Sequence, residues 1–290
     1  MIKSIDYNDK NYPRSLKSIK EPPMKLYYEG NYDLINSLCF SIVGSRDLTT
    51  YGRKIEQKFV KDLCLRGITI VSGMAVGADT VAHKETLKHG KKTIAVLPCG
   101  FHHIYPEQNE ELYHQIIENG GLVVSEYEPN IKAQSAYFLK RNRIVAGLSQ
   151  GLLVVEAKSR SGTSVTAKLA KEQGKKVFAL PGRLDSKNGV GVNRLIKEEG
   201  AIMTISVGDI IDEIPEFQDL VKEISKQNDF VKKEYRKIYS ILNEEPLGLD
   251  EICFKTNNSI QATLNLLSMM EMDDLIEEIV GAGYVRKYKE

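Results

Sequence analysis

The chain has 290 residues, of which 42% are hydrophobic and 27% charged, and its formal net charge is +1. That length admits one large domain and a small one, the near-neutral total argues against a strongly basic nucleic-acid binder, and no apolar run is long enough to cross a bilayer. The polar residues 1–10 and four scattered cysteines without a CxxC pair (Cys39, Cys64, Cys99 and Cys253) lead to the expectation of a cytoplasmic protein, with Cys39, Cys64 and Cys253 as buried thiols in apolar surroundings.

Residues 1–38 carry Tyr12-Pro13 and Pro22-Pro23 and read as a short N-terminal arm with one edge strand. From Cys39 onward, Val/Ile-rich runs alternate with helical stretches. Strands are expected at 40–43, 68–71, 93–97, 122–124, 152–155, 176–179 and 201–203. Helices are expected at 51–66, 76–89, 107–119, 140–148, 164–173 and 192–199. Repeated βα alternation predicts an α/β fold over 39–216: an extended Rossmann-like parallel sheet with helices on both faces. Right-handed crossovers then bring every strand-to-helix turn to one sheet edge. Polar residues 217–230 read as a linker. Over 231–290, three short helices with Ser259 as an N-cap precede a hairpin through Gly281 and Gly283, the order of a winged helix.

Three turns on that edge are built to receive anions. The first is Gly44-Ser45-Arg46, the second runs from Ser72-Gly73 through Ala75 to Gly77, and the third is Ser159-Arg160-Ser161-Gly162-Thr163. Small residues let the backbone approach a ligand, its N–H groups face outward, and the next helix adds its positive end. Arg46 adds a planar cationic fork. Neither a dinucleotide fingerprint nor a triphosphate P-loop is present; a ligand with several phosphates, or a phosphodiester chain, fits better. Downstream, Phe138 stands beside Lys140, Arg141, Asn142 and Arg143, an aromatic among cations, as in single-strand binding. No metal-ligand cluster emerges. His102 and His103 read as surface residues, Asp79 as a helix cap and His83 as a packed ring.

Charge is unevenly shared. Residues 1–220 hold four more basic than acidic residues, and 231–290 three more acidic than basic. The third C-terminal helix has no cation, and the wing opens with Asp273, Asp274, Glu277 and Glu278. A polyanion site is therefore expected on the large domain and protein contact or packing on the small one.

The runs Ile42-Val43-Gly44-Ser45-Arg46, Ser72 to Asp79 with Ala82-His83, Phe138 to Gly147, Val155-Glu156-Ala157 with Ser161-Gly162-Thr163, and Leu180-Pro181-Gly182, in this order, resemble the DprA (Smf) family of DNA-processing proteins. The likeness spans nearly the whole chain. It implies single-stranded DNA binding with little sequence preference, loading of the recombinase RecA during natural transformation, a homodimer, no cofactor and no catalysis. The implied DNA-binding positions are Gly44, Ser45, Arg46, Ser72, Gly73, Ala75, Gly77, Phe138, Lys140, Arg141, Asn142, Arg143, Ser161, Gly162 and Thr163. Two departures from the family pattern matter: the arm is too short for the helical N-terminal domain that some members carry, and Glu107 stands where some members have a basic residue, which implies a smaller contribution of that loop to phosphate binding; the Gly77-Ala78-Asp79 ending is a mild change. The competing interpretation is a LOG-like nucleotide phosphoribohydrolase or a nucleotide-sensing regulator. The hydrolase loop requires a Glu where this chain has Thr166, and the acidic wing disfavours a DNA-reading regulator.

Overall fold

A computed structural model describes residues 1–159, 161–229, 232–243 and 245–287. It divides into two units, Met1–Gln218 and Asp219–Glu290.

The first unit is built on one nine-stranded sheet. Its strands are β1 (Lys3–Asp6), β2 (Lys25–Gly30), β3 (Cys39–Val43), β4 (Thr69–Ser72), β5 (Thr93–Val96), β6 (Leu122–Ser125), β7 (Gly151–Val154), β8 (Lys176–Ala179) and β9 (Ile202–Met203), in the order β1-β2-β6-β5-β4-β3-β7-β8-β9. From β6 to β9 all neighbours are parallel. These strands carry Val, Ile and Leu on both faces because helices cover both, so they read as continuous apolar runs. The helices are α1 (Arg14–Lys17), α2 (Thr50–Cys64), α3 (Ala78–Lys88), α4 (Glu110–Glu118), α5 (Ser135–Gly147), α6 (Gly162–Glu172), α7 (Gly189–Glu199) and α8 (Val207–Ile211), and α9 (Pro215–Asp229) begins in the first unit and continues into the second. The chain lays strands outward from β3 to β6, then returns to the other side of β3 with β7. This reversal opens a crevice at the strand ends, the usual ligand position in doubly wound sheets.

The N-terminal segment contributes more than a single edge strand. Both β1 and β2 join the sheet: β2 lies antiparallel to β6, and β1 antiparallel to β2 at the sheet edge. Tyr12, Leu16 and Ile19 enter the core, and the Tyr12 hydroxyl donates to the Pro23 carbonyl at 2.6 Å. Alternating residues of β2 bury only Leu26 fully, so its strand signal is weak in sequence. The first unit also extends two residues past position 216, where Phe217 packs edge-on against Phe40 with ring centroids 5.9 Å apart. Cys39, Cys64 and Cys99 are buried, whereas Cys253 is only partly so, because its helix turns that side toward solvent. Its Sγ lies 3.3 Å from Thr263 Oγ1.

The second unit adds α10 (Arg236–Ile241), α11 (Leu249–Thr256), α12 (Ile260–Met272) and the hairpin β10 (Ile276–Ile279) and β11 (Gly283–Arg286). Tyr235, Ile238, Leu242, Ile252, Leu267, Met270 and Ile276 form its core. Ser259 caps α12, accepting from the Ala262 N–H at 3.3 Å.

Candidate nucleic-acid interface

The first two turns are clamped together. Ala78 N–H donates to the Ser45 carbonyl at 3.1 Å, and a Cβ on Gly44 would lie 2.7 Å from that of Ala78. Gly77 has φ +85°, and a Cβ there would sit 2.7 Å from Arg46 Cα. Both the left-handed backbone and the close approach require glycine. Gly77→Ala is therefore expected to destabilise the protein by about 2–4 kcal/mol through strain and steric displacement of the first turn. Urea denaturation tests this; a change below 1 kcal/mol would refute the clamp. The third turn is tied in by Thr163 Oγ1, which donates to the Gly44 carbonyl at 3.0 Å. Ser161 caps α6, accepting from Ser164 N–H at 3.4 Å. Residue 160, the arginine of this turn, lies outside the described residues.

Between these turns lies an open cavity of about 590 Å³, lined by Gly44, Ser45, Arg46, Ala75, Asn142, Ser161, Gly162 and Thr163, together with Tyr105, Phe138, Arg141, Lys158 and Asp79. The N-terminal turn of α6 faces it, where the first helical N–H groups lack partners within the helix. Arg46 is exposed, and its guanidinium carbon lies 5.3 Å from the Phe138 ring centroid. Phe138 in turn meets Tyr105 edge-to-face at 5.3 Å. Tyr105 is 45% exposed. Arg46, Phe138 and Tyr105 thus form a cation–aromatic wall.

Helix α5 begins at Ser135, five residues before the expected start, so Phe138 shares one helix with the cations that follow it. Helical periodicity then separates them. Phe138, Arg141 and Asn142, spaced by three and four, line the cavity. Lys140 and Arg143 turn to another side, where Glu126 holds them at 3.2 and 2.6 Å. Arg143 is buried and pairs with a carboxylate, so its expected phosphate contact is corrected to a structural ion pair. Lys140 is half-exposed but outside the cavity lining.

Arg141 differs from Arg46 although both face the same cavity. It is 4% exposed. Its Nη1 donates to the carbonyls of Gly73 and Val96, and Nε donates to Asn142 Oδ1 at 3.1 Å. A Cβ on Gly73 would fall 2.6 Å from that Nη1. Gly73 thus makes room for an arginine side chain, a role not visible in its turn motif. Burial lowers the Arg141 pKa, while the neighbouring Asp79 carboxylate opposes this. Asp79 is itself buried, which raises its pKa against the pull of Arg141, and it accepts from the Ala75 N–H at 3.1 Å. Asp79 therefore holds the loop ahead of α3 and does not cap the helix as expected, the N-cap position being Gly77 without a side-chain bond. Ser72 is fully buried and donates to the Ile42 carbonyl at 2.6 Å; it holds β3 to β4 and does not reach the cavity, contrary to the expected contact.

His83 is a packed ring, as expected. Its Nδ1 pairs with Thr93 Oγ1 at 2.8 Å, and burial pushes its pKa down to about 3, so it is neutral near pH 7. At the position where the hydrolase loop requires a carboxylate, Thr166 donates to the Gly162 carbonyl at 3.1 Å. Among the described residues no group of three or more His, Cys, Asp or Glu side chains is placed to hold a metal, and no helix is long and apolar enough to cross a membrane. Tyr105 and Lys158 are lining residues that sequence inspection missed. Only the fold sets Tyr105 against Phe138.

The family model for DNA recombination-mediator protein A matches residues 3–215. The chain is 40% identical over 216 residues to the DNA processing protein DprA of Bacillus subtilis, covering 74% of this chain and 72% of that one. It is 34% identical over 282 residues to protein Smf of Escherichia coli, covering 95% and 75%. Among solved structures it is similar to DNA processing protein A of Streptococcus pneumoniae, with a TM-score of 0.69 at 40% identity over 73% of this chain and 74% of that one. It is also similar to DNA processing protein A of Helicobacter pylori, a structure concerned with that protein's single-stranded DNA binding mode, with a TM-score of 0.67 at 31% identity over 77% and 97%.

Proposed function

Since the chain belongs to the DNA recombination-mediator protein A family, also called DprA or Smf, we propose that it binds single-stranded DNA at the strand-end crevice of its first unit and delivers the strand to the recombinase RecA. The observation that carries this is the pairing of a small-residue cavity at a helix N-terminus with a wall of Arg46, Phe138 and Tyr105 along one side. Phosphates take the turns and the cation; bases take the aromatic rings. Contacts to the backbone carry no sequence information, so selectivity is weak. One such cavity spans few nucleotides, and a homodimer raises avidity by holding two sites on one strand. The protein acts as a binder and mediator without a cofactor, in the cytoplasm where RecA and incoming strands meet.

Anisotropy titration with single-stranded DNA, blunt duplex and mononucleotides tests this. Single strands are expected to bind tightest. Their affinity should fall with salt at a log–log slope of about −1.5 to −2, from roughly two to three neutralised phosphates per site. Equal or tighter binding to duplex would overturn the proposal. Release of free base from a nucleoside monophosphate would favour the hydrolase instead.

A further inference from the structure

Helix α2 starts beside the cavity and leads away from it. Arg46 and Asp47 line the cavity. Thr49, two residues on, caps the helix by accepting from the Gly52 N–H at 3.0 Å, and its own N–H donates to Glu156 at 3.0 Å. Because β3 and β4 are parallel, α2 runs back from the strand-end edge to the opposite edge, and its 15 residues rise about 22 Å. Tyr51, Lys54, Lys58, Lys61 and Leu65 are all exposed. They follow one another at steps of three and four, so they form one ridge along the helix. Elsewhere, exposed helical cations are matched one turn away, Lys168 by Glu172 at 3.8 Å and Arg194 by Glu198 at 3.0 Å. Among the described residues, Lys54, Lys58 and Lys61 have no carboxylate at ion-pair distance. The helix's own acids do not serve them: Glu56 is fully buried on the opposite side, and Asp62 is half-buried. Burial and the neighbouring Asp79 push the Glu56 pKa well above the usual carboxylate range, which favours its neutral form. Helix α3, joined to α2 where Gln57 Nε2 donates to Glu85 at 3.1 Å, adds the exposed Lys84.

We propose that the outer ridge of α2 is a phosphodiester track, on which Lys54, Lys58 and Lys61 carry the backbone of the single strand away from the cavity. Like charges one turn apart weaken a helix. A polyanion laid along the ridge supplies the missing countercharge and is driven there by counterion release. The three ammonium groups are carried on a rise of about 4.5–6 Å per step, a stride that successive phosphates of an extended strand can follow. Lysine suits such a track, being a mobile point charge that asks for no fixed geometry. Tyr51 presents an exposed ring at the cavity end of the ridge, the aromatic companion of cations in sequence-tolerant strand grooves. Leu65 is the one aliphatic residue on the ridge, too little for the apolar centre of a protein interface. None of the three lysines lines the cavity, so the track lengthens the strand that one protomer holds.

The inference rests on the single-strand proposal above, and strand length separates the two. The probes are oligothymidylates of about 5 and about 16 nucleotides, near the ends of the range for single-strand sites. The proteins are the wild type, a ridge variant combining Lys54→Gln, Lys58→Gln and Lys61→Gln, and a variant of equal charge change in the N-terminal segment combining Lys3→Gln, Lys10→Gln and Lys20→Gln. Thermal unfolding confirms that each is folded. The wild type is expected to bind the longer strand with a log–log salt slope steeper by about 2, from about three further phosphates. The ridge variant is expected to lose that extra slope and roughly tenfold in affinity for the longer strand at low salt, while keeping wild-type affinity for the shorter. The N-terminal variant is expected to match the wild type on both. Wild-type affinity and slope for the longer strand in the folded ridge variant overturn the track alone and leave an acidic protein surface as the partner that fits it. Equal losses for both lengths, or equal losses in both variants, also overturn it, since the effect would then belong to the cavity or to net charge. A wild type that binds neither strand overturns the single-strand proposal and the track with it.

Discussion

Arg46→Glu is expected to weaken single-stranded DNA binding by roughly 10- to 100-fold, with little change in stability. The side chain is exposed on the rim of the cavity, and substitutions at such sites alter stability by about 0.5 kcal/mol or less. A charge-assisted hydrogen bond to phosphate is worth about 1.5–3 kcal/mol, and tenfold in affinity is about 1.4 kcal/mol. Reversing the charge adds repulsion. It also removes the cation from the face of Phe138, worth about 0.5–1 kcal/mol in ordering the ring at an exposed site. Arg46→Gln should cost less than Arg46→Glu. Both are read by anisotropy at fixed salt after thermal unfolding has shown normal folding. A folded Arg46→Glu protein that binds at wild-type affinity would show that the cavity is not the DNA site.

Arg141→Met is expected to do the reverse, costing about 3–5 kcal/mol of stability. The guanidinium is buried, joins the carbonyls of Gly73 and Val96, and faces the Asp79 carboxyl. Methionine fills much of the space but satisfies none of these groups, and each buried acceptor left alone costs about 1–3 kcal/mol. For a unit of this size the melting temperature should fall by roughly 6–20 °C. A urea transition within 1 kcal/mol of wild type would mean that Arg141 is not the brace that joins the ends of β4 and β5 to α5. The two arginines line one cavity and carry one charge each, yet one is a ligand candidate and the other holds the site in shape.

That distinction marks the limit of what residue order can convey. The strands from β3 to β8 are legible because each is an apolar run buried on both faces, and the small residues of the three turns announce themselves. Crossover handedness was enough to gather the turns on one edge. The roles of Phe138, Lys140, Arg141 and Arg143 were not separable in the same way. They stand together in sequence, but α5 starts early enough to turn them around its axis, and Glu126, distant in the chain, draws two of them away. Gly73 had an obvious anion-site interpretation and proved to accommodate a side chain from a helix nearly seventy residues later. Tyr105 and Lys158 had no motif of their own; tertiary proximity alone makes them part of the cavity. The N-terminal strands were partly hidden because β2 buries one side chain fully and leaves the rest half in solvent.

The position of that N-terminal segment also bears on how the protein is made. Tyr27 of β2 pairs with Ser125 of β6, and Leu16 and Ile19 lie against Gly147 in α5, where a Cβ would come within 3.0 Å of each. Until the middle of the chain is made, this segment has its own β1–β2 pairing but lacks its partners in β6 and α5. At about 5–20 residues per second the wait for β6 alone is roughly 5–20 s. During that interval Tyr12, Leu16 and Leu26 are unburied apolar side chains on a nascent chain, available to chaperones, and docking of the segment is among the later, slow, non-local steps of folding.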